Sequence, residues 1–155
     1  MSPAADPKGP SDRELTISRV FDATRALVFK IWTEPAHIKH WWGPRGYTTL
    51  SCAMDLRPGG AWRVGSRHTD GSETAERGVF REIVEPERLV FTHAWEGEDG
   101  KLGHETLVTV TFADLGDRTR MTFHQAPFTS VEIRDGHFQG WSESFDMLAE
   151  HLANV

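Results

Sequence analysis

Histidines and carboxylates are the residues of this chain that could move a proton. His93 lies in the alternating run Leu89, Phe91, His93, Trp95, and His124 closes a later strand-like run. Glu82 and Glu143 are carboxylates that could join them. A His–carboxylate pair can serve a cyclase or a hydrolase as general acid and base. Spacing alone does not bring these four together, and a single histidine on an apolar strand face is more often a satisfied core residue. Catalytic chemistry is therefore not the favoured expectation. His37-x-x-His40 sets two imidazoles at metal-ligand spacing, but no carboxylate or cysteine pair stands at ligand spacing beside them. Surface histidines are the simpler reading. The lone Cys52 sits in an apolar run, the setting of a packed thiol rather than a nucleophile. No Gly-rich phosphate loop follows a strand, so no cofactor is expected.

The aromatic residues say more. Six tryptophans fall in 155 residues, and two are adjacent in His40-Trp41-Trp42-Gly43-Pro44. Neighbouring side chains of a regular element cannot point the same way, and each indole N–H needs a partner when buried. So rich an aromatic supply predicts a lined cavity. The candidate ligand-binding residues are Trp41, Trp42, Trp62, Phe91, His93, Trp95, Phe123, Gln125, Phe128, Phe138, Trp141 and Phe145. Trp41 or Trp42 is expected to cap the entrance. His93 and Gln125 are expected to orient a ligand, and Phe145 also reads as plain core.

The elements that must hold these residues follow from periodicity. Leu15 to Phe21 alternates as a strand. Asp22-Ala23-Thr24 offers cap residues for a helix over 25–33, and Glu34-Pro35 then opens a second short helix over 36–41. A long β region comes next. Leu50, Cys52, Met54 and Leu56 alternate, Arg57-Pro58-Gly59-Gly60 turns, and Trp62 begins the return strand. Further strands are expected over 76–83, 89–95, 107–112 and 120–125, joined by short turns that favour an antiparallel meander. Phe138, Trp141, Phe145, Leu148 and Leu152 form one stripe of a C-terminal helix. Gly136 and Gly140 interrupt it, each at a cost of roughly 1 kcal/mol relative to alanine. Gly140 is expected to admit a close neighbour and Gly136 to face solvent. A sheet with one long helix to cover it predicts an α+β two-layer domain, with a ligand site where sheet and helix diverge.

Composition excludes several classes. Charged residues make up 26% and the net charge is −6, without a Lys/Arg run, so nucleic acid is not an expected partner. No apolar run is long enough to span a membrane. Residues 1–13 read as a disordered tail without the apolar segment of a secretory signal, and residues 14–155 as one ligand-binding domain. A single cysteine fits a reducing cytoplasm. Either a monomer or a homodimer is compatible with the sequence.

Several motifs recur together in a known family. They are Thr33-Glu34-Pro35, Trp41-Trp42-Gly43-Pro44, Asp55-Leu56-Arg57-Pro58-Gly59-Gly60 with Trp62, Glu85-Pro86-Glu87-Arg88-Leu89-Val90-Phe91-Thr92, and Gly140-Trp141 before Leu148. In this order the chain resembles the homologues of activators of the heat-shock protein 90 ATPase, within the START-like, polyketide-cyclase-like (SRPBCC) superfamily. The resemblance implies the helix-grip fold: a curved antiparallel sheet of six to seven strands around a long C-terminal helix, with two short helices after the first strand. It carries over no catalytic triad, and the superfamily hosts several functions on one scaffold. Binding of a small hydrophobic molecule is the leading expectation. A chaperone partnership, implied by the family name, and a polyketide-cyclase-like enzyme are the alternatives.

Overall fold

The structure is a computed structural model and describes residues 12–155; most of the expected N-terminal tail lies outside the described residues. The chain runs β1 (Leu15–Phe21), α1 (Arg25–Thr33), α2 (Pro35–Ile38), β2 (Tyr47–Met54), β3 (Ala61–His68), β4 (Glu73–Val84), β5 (Arg88–Trp95), β6 (Thr106–Asp114), β7 (Thr119–Ala126) and α3 (Val131–Leu152). The strands form one seven-stranded sheet in the order β1-β7-β6-β5-β4-β3-β2, and every neighbouring pair is antiparallel. Strands β2 to β7 pair in chain order, as short turns dictate. β1 closes beside β7, with Ile17 opposite Phe123. This is the expected α+β helix-grip architecture.

Two helix starts follow from their caps. The Thr24 side chain accepts from the Leu27 amide at the head of α1, and the Ser130 hydroxyl accepts from the Ile133 amide at the head of α3. The Ser130 cap, with Glu132 in the first turn, starts α3 well before its apolar stripe and gives it 22 residues. That is roughly 33 Å of helix.

The second short helix is shorter than expected. It begins with Pro35, whose missing N–H is harmless in a first turn, and ends at Ile38. The amides of Trp41 and Trp42 still bond back to Ile38 O, at 3.1 and 3.0 Å, so the chain stays curled. The curl aims the adjacent indoles at different partners. Trp41 donates to Ile31 O at 3.1 Å and Trp42 to Glu76 Oε2 at 2.8 Å.

Alternation supplies the core. Met121, Phe123 and Gln125 of β7 and Val108, Val110 and Phe112 of β6 are buried on the inner face. Trp141, Phe145 and Leu148 of α3 are buried with them, whereas Phe138 and Leu152 are only partly buried. Trp32 of α1 sits at the centre, its ring 4.7 Å from Trp41, 6.0 Å from Phe145 and 6.2 Å from Phe123. At the β1 edge, Arg19 reaches α3 through Asp146 at 2.8 Å and Ser142 O at 3.1 Å.

One glycine is required by a close approach. Gly78 of β4 stands opposite Trp62 of β3, whose indole crosses it to donate to Thr92 O at 3.1 Å. A Cβ on Gly78 would lie 2.6 Å from the Thr92 carbonyl carbon and 2.7 Å from Trp62 Nε1. Backbone on one side and a buried ring on the other leave no room to yield. Gly78→Ala is expected to destabilise by about 1–3 kcal/mol, read as a lower urea midpoint with an unchanged slope.

Candidate functional site

Sheet and helix part company at the β2–β4 end. A cavity of about 370 Å³ opens there against the N-terminal half of α3. Ser66 and Glu76 form the sheet wall, and Trp42 and Trp141 are buried beside them. Ser66 and Glu76 face inward because they share the register of Trp62 and Phe80 along β3 and β4. On α3, Ile133, Gly136, His137, Gly140 and Ser144 bring one helical face to the cavity. Trp95 and Ile133 are 39% and 47% exposed, which places them at the mouth.

The polar atoms are largely committed. His93 is 2% exposed, and its Nε2–H donates to Glu76 Oε1 at 2.7 Å. Trp42 occupies the other carboxylate oxygen. Trp141 donates its indole N–H to Gln125 Oε1 at 2.9 Å, and the Gln125 amide donates to Thr106 Oγ1 at 2.9 Å. Trp95 donates to His137 Nε2 at 3.0 Å, which leaves the other ring nitrogen, Nδ1, to donate to Ile133 O at 2.9 Å. This pattern fits a neutral His137, since a proton on Nε2 would oppose the Trp95 N–H. Burial, more than any neighbour, holds its pKa below the ordinary imidazole value. With all three N–H groups committed, Trp42, Trp95 and Trp141 offer the cavity only carbon. The Ser66 hydroxyl is buried without a hydrogen-bond partner among the described residues.

The residues singled out in the sequence divide into groups. Trp42, Trp95 and Trp141 line the cavity. Trp62 and Phe91 line only a small void, of about 10 Å³, shared with Trp42. His93 and Gln125 stand directly behind the wall, bonded to Glu76 and Trp141. Trp41, Phe123 and Phe145 pack as core away from the opening. Phe128 is buried with its ring 5.0 Å from His137, and Phe138 lies partly buried against the core. Trp41 caps nothing, being 1% exposed, and Trp42 is a wall rather than a lid.

Other candidates resolve differently. Glu82 pairs with Arg88 at 3.0 Å, His124 with Glu14 at 3.2 Å, and Glu143 accepts from the Arg45 amide at 3.2 Å. None of the three meets His93. Its carboxylate partner is Glu76, which the sequence reading missed. The signal was present, because Glu76 shares strand parity with Gly78 and the apolar Phe80. His37 Nδ1 lies 3.0 Å from His151 Nε2, and His40 stacks on His151 at 4.6 Å. The described residues contain no group of side chains arranged to hold a metal. Burial pushes the Cys52 thiol up to about 11, the opposite of nucleophile activation.

The close packing expected at Gly140 is absent. The nearest atom to a Cβ there would be Pro44 Cγ at 4.0 Å, and nothing would lie within 4 Å of one on Gly136. Both glycines face the cavity. Gly140→Ala is therefore expected to stabilise by about 0.5–1 kcal/mol, read by chemical denaturation, while narrowing the cavity.

Residues 22–153 match the family described as Activator of Hsp90 ATPase homolog 1-like protein. Among solved structures, the AHSA1 protein of Silicibacter pomeroyi is similar at 25% identity and a TM-score of 0.83, over 90% of this chain and 97% of that one. A protein from Arthrobacter aurescens is similar at 26% identity and a TM-score of 0.81, over 93% and 88%. A protein from Nitrosomonas europaea shares the fold at 22% identity and a TM-score of 0.79, over 94% and 97%. No curated protein matches the sequence. Among the described residues, no helix is long and apolar enough to cross a membrane. With its fold shared and its match running from the residues before α1 to the end of α3, the chain belongs to the Activator of Hsp90 ATPase homolog 1-like family.

Proposed function

We propose that this protein binds a small, mainly apolar molecule in the cavity between β2–β4 and α3. The observation that supports this reading is the chemistry of the walls. Trp42, Trp95 and Trp141 line an opening of about 370 Å³, and their N–H groups are already bonded within the protein. Carbon walls around a few polar atoms are what small-molecule sites present, and the volume falls in their range. Two mouth residues, Trp95 and Ile133, extend the apolar surface to solvent.

The test uses the neutral fluorophore N-phenyl-1-naphthylamine. Saturable enhancement of its emission is expected with the native protein. Gly140→Leu should abolish it, because the new side chain projects into the cavity from a position with room for its Cβ. Circular dichroism and urea unfolding would establish that the variant remains folded. Absence of saturable binding, or binding indifferent to Gly140→Leu, overturns the reading. The chaperone role suggested by the family name would draw on the outer sheet face and loops, and would survive that substitution.

A further inference from the structure

We propose that the molecule held in this cavity is a cation: an ammonium group on an apolar body, with the charge seated at Glu76. This rests on the cavity being a binding site and adds the chemical class of its occupant.

Charge supports it first. Among the described residues, Glu76 is the one carboxylate lining the cavity, and no lysine or arginine lines it. The arginines that flank the lining pair elsewhere, the buried Arg134 of α3 with Asp135 at 3.0 Å. Arg45 follows the Gly43–Pro44 wall but turns to Glu150, and Arg63 and Arg77 on the neighbouring strands pair with Glu96 at 2.7 and 3.5 Å. His137, the imidazole in the wall, accepts from Trp95 and is held neutral by burial. The Glu76 carboxylate thus meets the cavity with no lysine or arginine in the lining to offset it. An arriving ammonium balances it, whereas a carboxylate would add a second negative charge in a low-dielectric pocket.

The hydrogen bonds support it independently. Each oxygen of Glu76 accepts one bond, from His93 and from Trp42, and a carboxylate oxygen can accept more than one. What remains at Glu76 is acceptor capacity, which a donor-only group such as an ammonium matches. Ser66 stands diagonally across the β3–β4 ladder, as Ser66 pairs with Thr74 and Val64 with Glu76. Ser66 is 4% exposed, and its hydroxyl has no partner among the described residues. It could take a second N–H.

The walls are suited to the same charge. Trp42, Trp95 and Trp141 line the same cavity as the carboxylate, and aromatic rings attract cations through the negative potential over their faces. A neutral apolar ligand would use the rings equally well but would leave the acceptors of Glu76 without a counter-charge.

A matched series tests this by titration calorimetry at fixed ionic strength: 4-phenylbutylamine, 4-phenylbutanol and 4-phenylbutyrate. The amine is expected to bind at least tenfold more tightly than the alcohol, and the carboxylate to bind too weakly to measure. Trp95→Leu keeps the mouth apolar but removes a ring, and should weaken the amine more than the alcohol. Glu76→Gln should erase the preference for the amine; where it unfolds the protein, the native series and Trp95→Leu decide. Equal binding of amine and alcohol, measurable binding of the carboxylate, or failure of all three overturns the proposal. If N-phenyl-1-naphthylamine still binds in those cases, the cavity remains a ligand site and only its charge preference is wrong.

Discussion

Replacing Trp141 with alanine is expected to lower the unfolding free energy by about 3–5 kcal/mol. The indole is 6% exposed and lies between the sheet and the first half of α3. Its ring centroid is 4.7 Å from Phe123, 5.1 Å from Trp42 and 5.8 Å from Phe145. Truncation removes these contacts at once and leaves Gln125 Oε1 without its donor. The adjoining cavity would merge with the vacated space, so collapse cannot recover the loss. Urea unfolding followed by far-ultraviolet circular dichroism measures it. A variant within about 0.5 kcal/mol of the native protein, the usual range for surface substitutions, would mean that α3 does not grip the sheet at this residue.

Glu76→Ala is expected to cost about 2–3 kcal/mol, since a buried donor left without an acceptor costs about 1–3 kcal/mol and water from the cavity can satisfy part of the need. Two donors are affected, the Trp42 indole and the His93 imidazole. Glu76→Gln should cost less. Its amide oxygen can accept from one of them, and a change of His93 tautomer lets the ring accept from the amide nitrogen. The order Ala, then Gln, then native in urea midpoint checks the arrangement. Midpoints equal to the native one for both variants would show that the carboxylate contributes nothing to stability.

Much of the architecture was legible in the sequence because alternation and helical spacing are local. Leu15–Phe21 and Arg25–Thr33 fall where their patterns place them. The stripe from Phe138 to Leu152 marks α3 without fixing where it begins; Ser130 and Glu132 define that end by polar contacts. The site was less legible. His93 is recognisable as an inward residue from Phe91, but its partner lies on another strand, and strand pairing decides that Glu76 rather than Glu82 reaches it. Glu82 lies beyond the β4–β5 register shift between Phe80 and Glu82. Such a shift changes which face a side chain occupies, and nothing in the local alternation announces it. The Gly140 expectation failed for a related reason. Glycines one turn apart can mark a tight crossing or an empty space, and only the position of Pro44 distinguishes them.

The unequal support of the sheet by α3 also governs how the molecule opens. β1 is fastened to the helix through Arg19, and β6 and β7 are buried beneath it. β2 pairs on one side only, slips register between Thr49 and Ser51, and exposes Leu50 to 46%. Amide hydrogen exchange should therefore be graded across the sheet, slowest in β6 and β7 and fastest in β2, as local opening requires less disruption there. The fast strand borders the cavity through Tyr47. Transient fraying of β2 would widen the mouth, so a molecule could enter without disturbing the slow-exchanging strands. An occupied cavity should slow exchange in β2 and β3 while leaving β7 nearly unchanged.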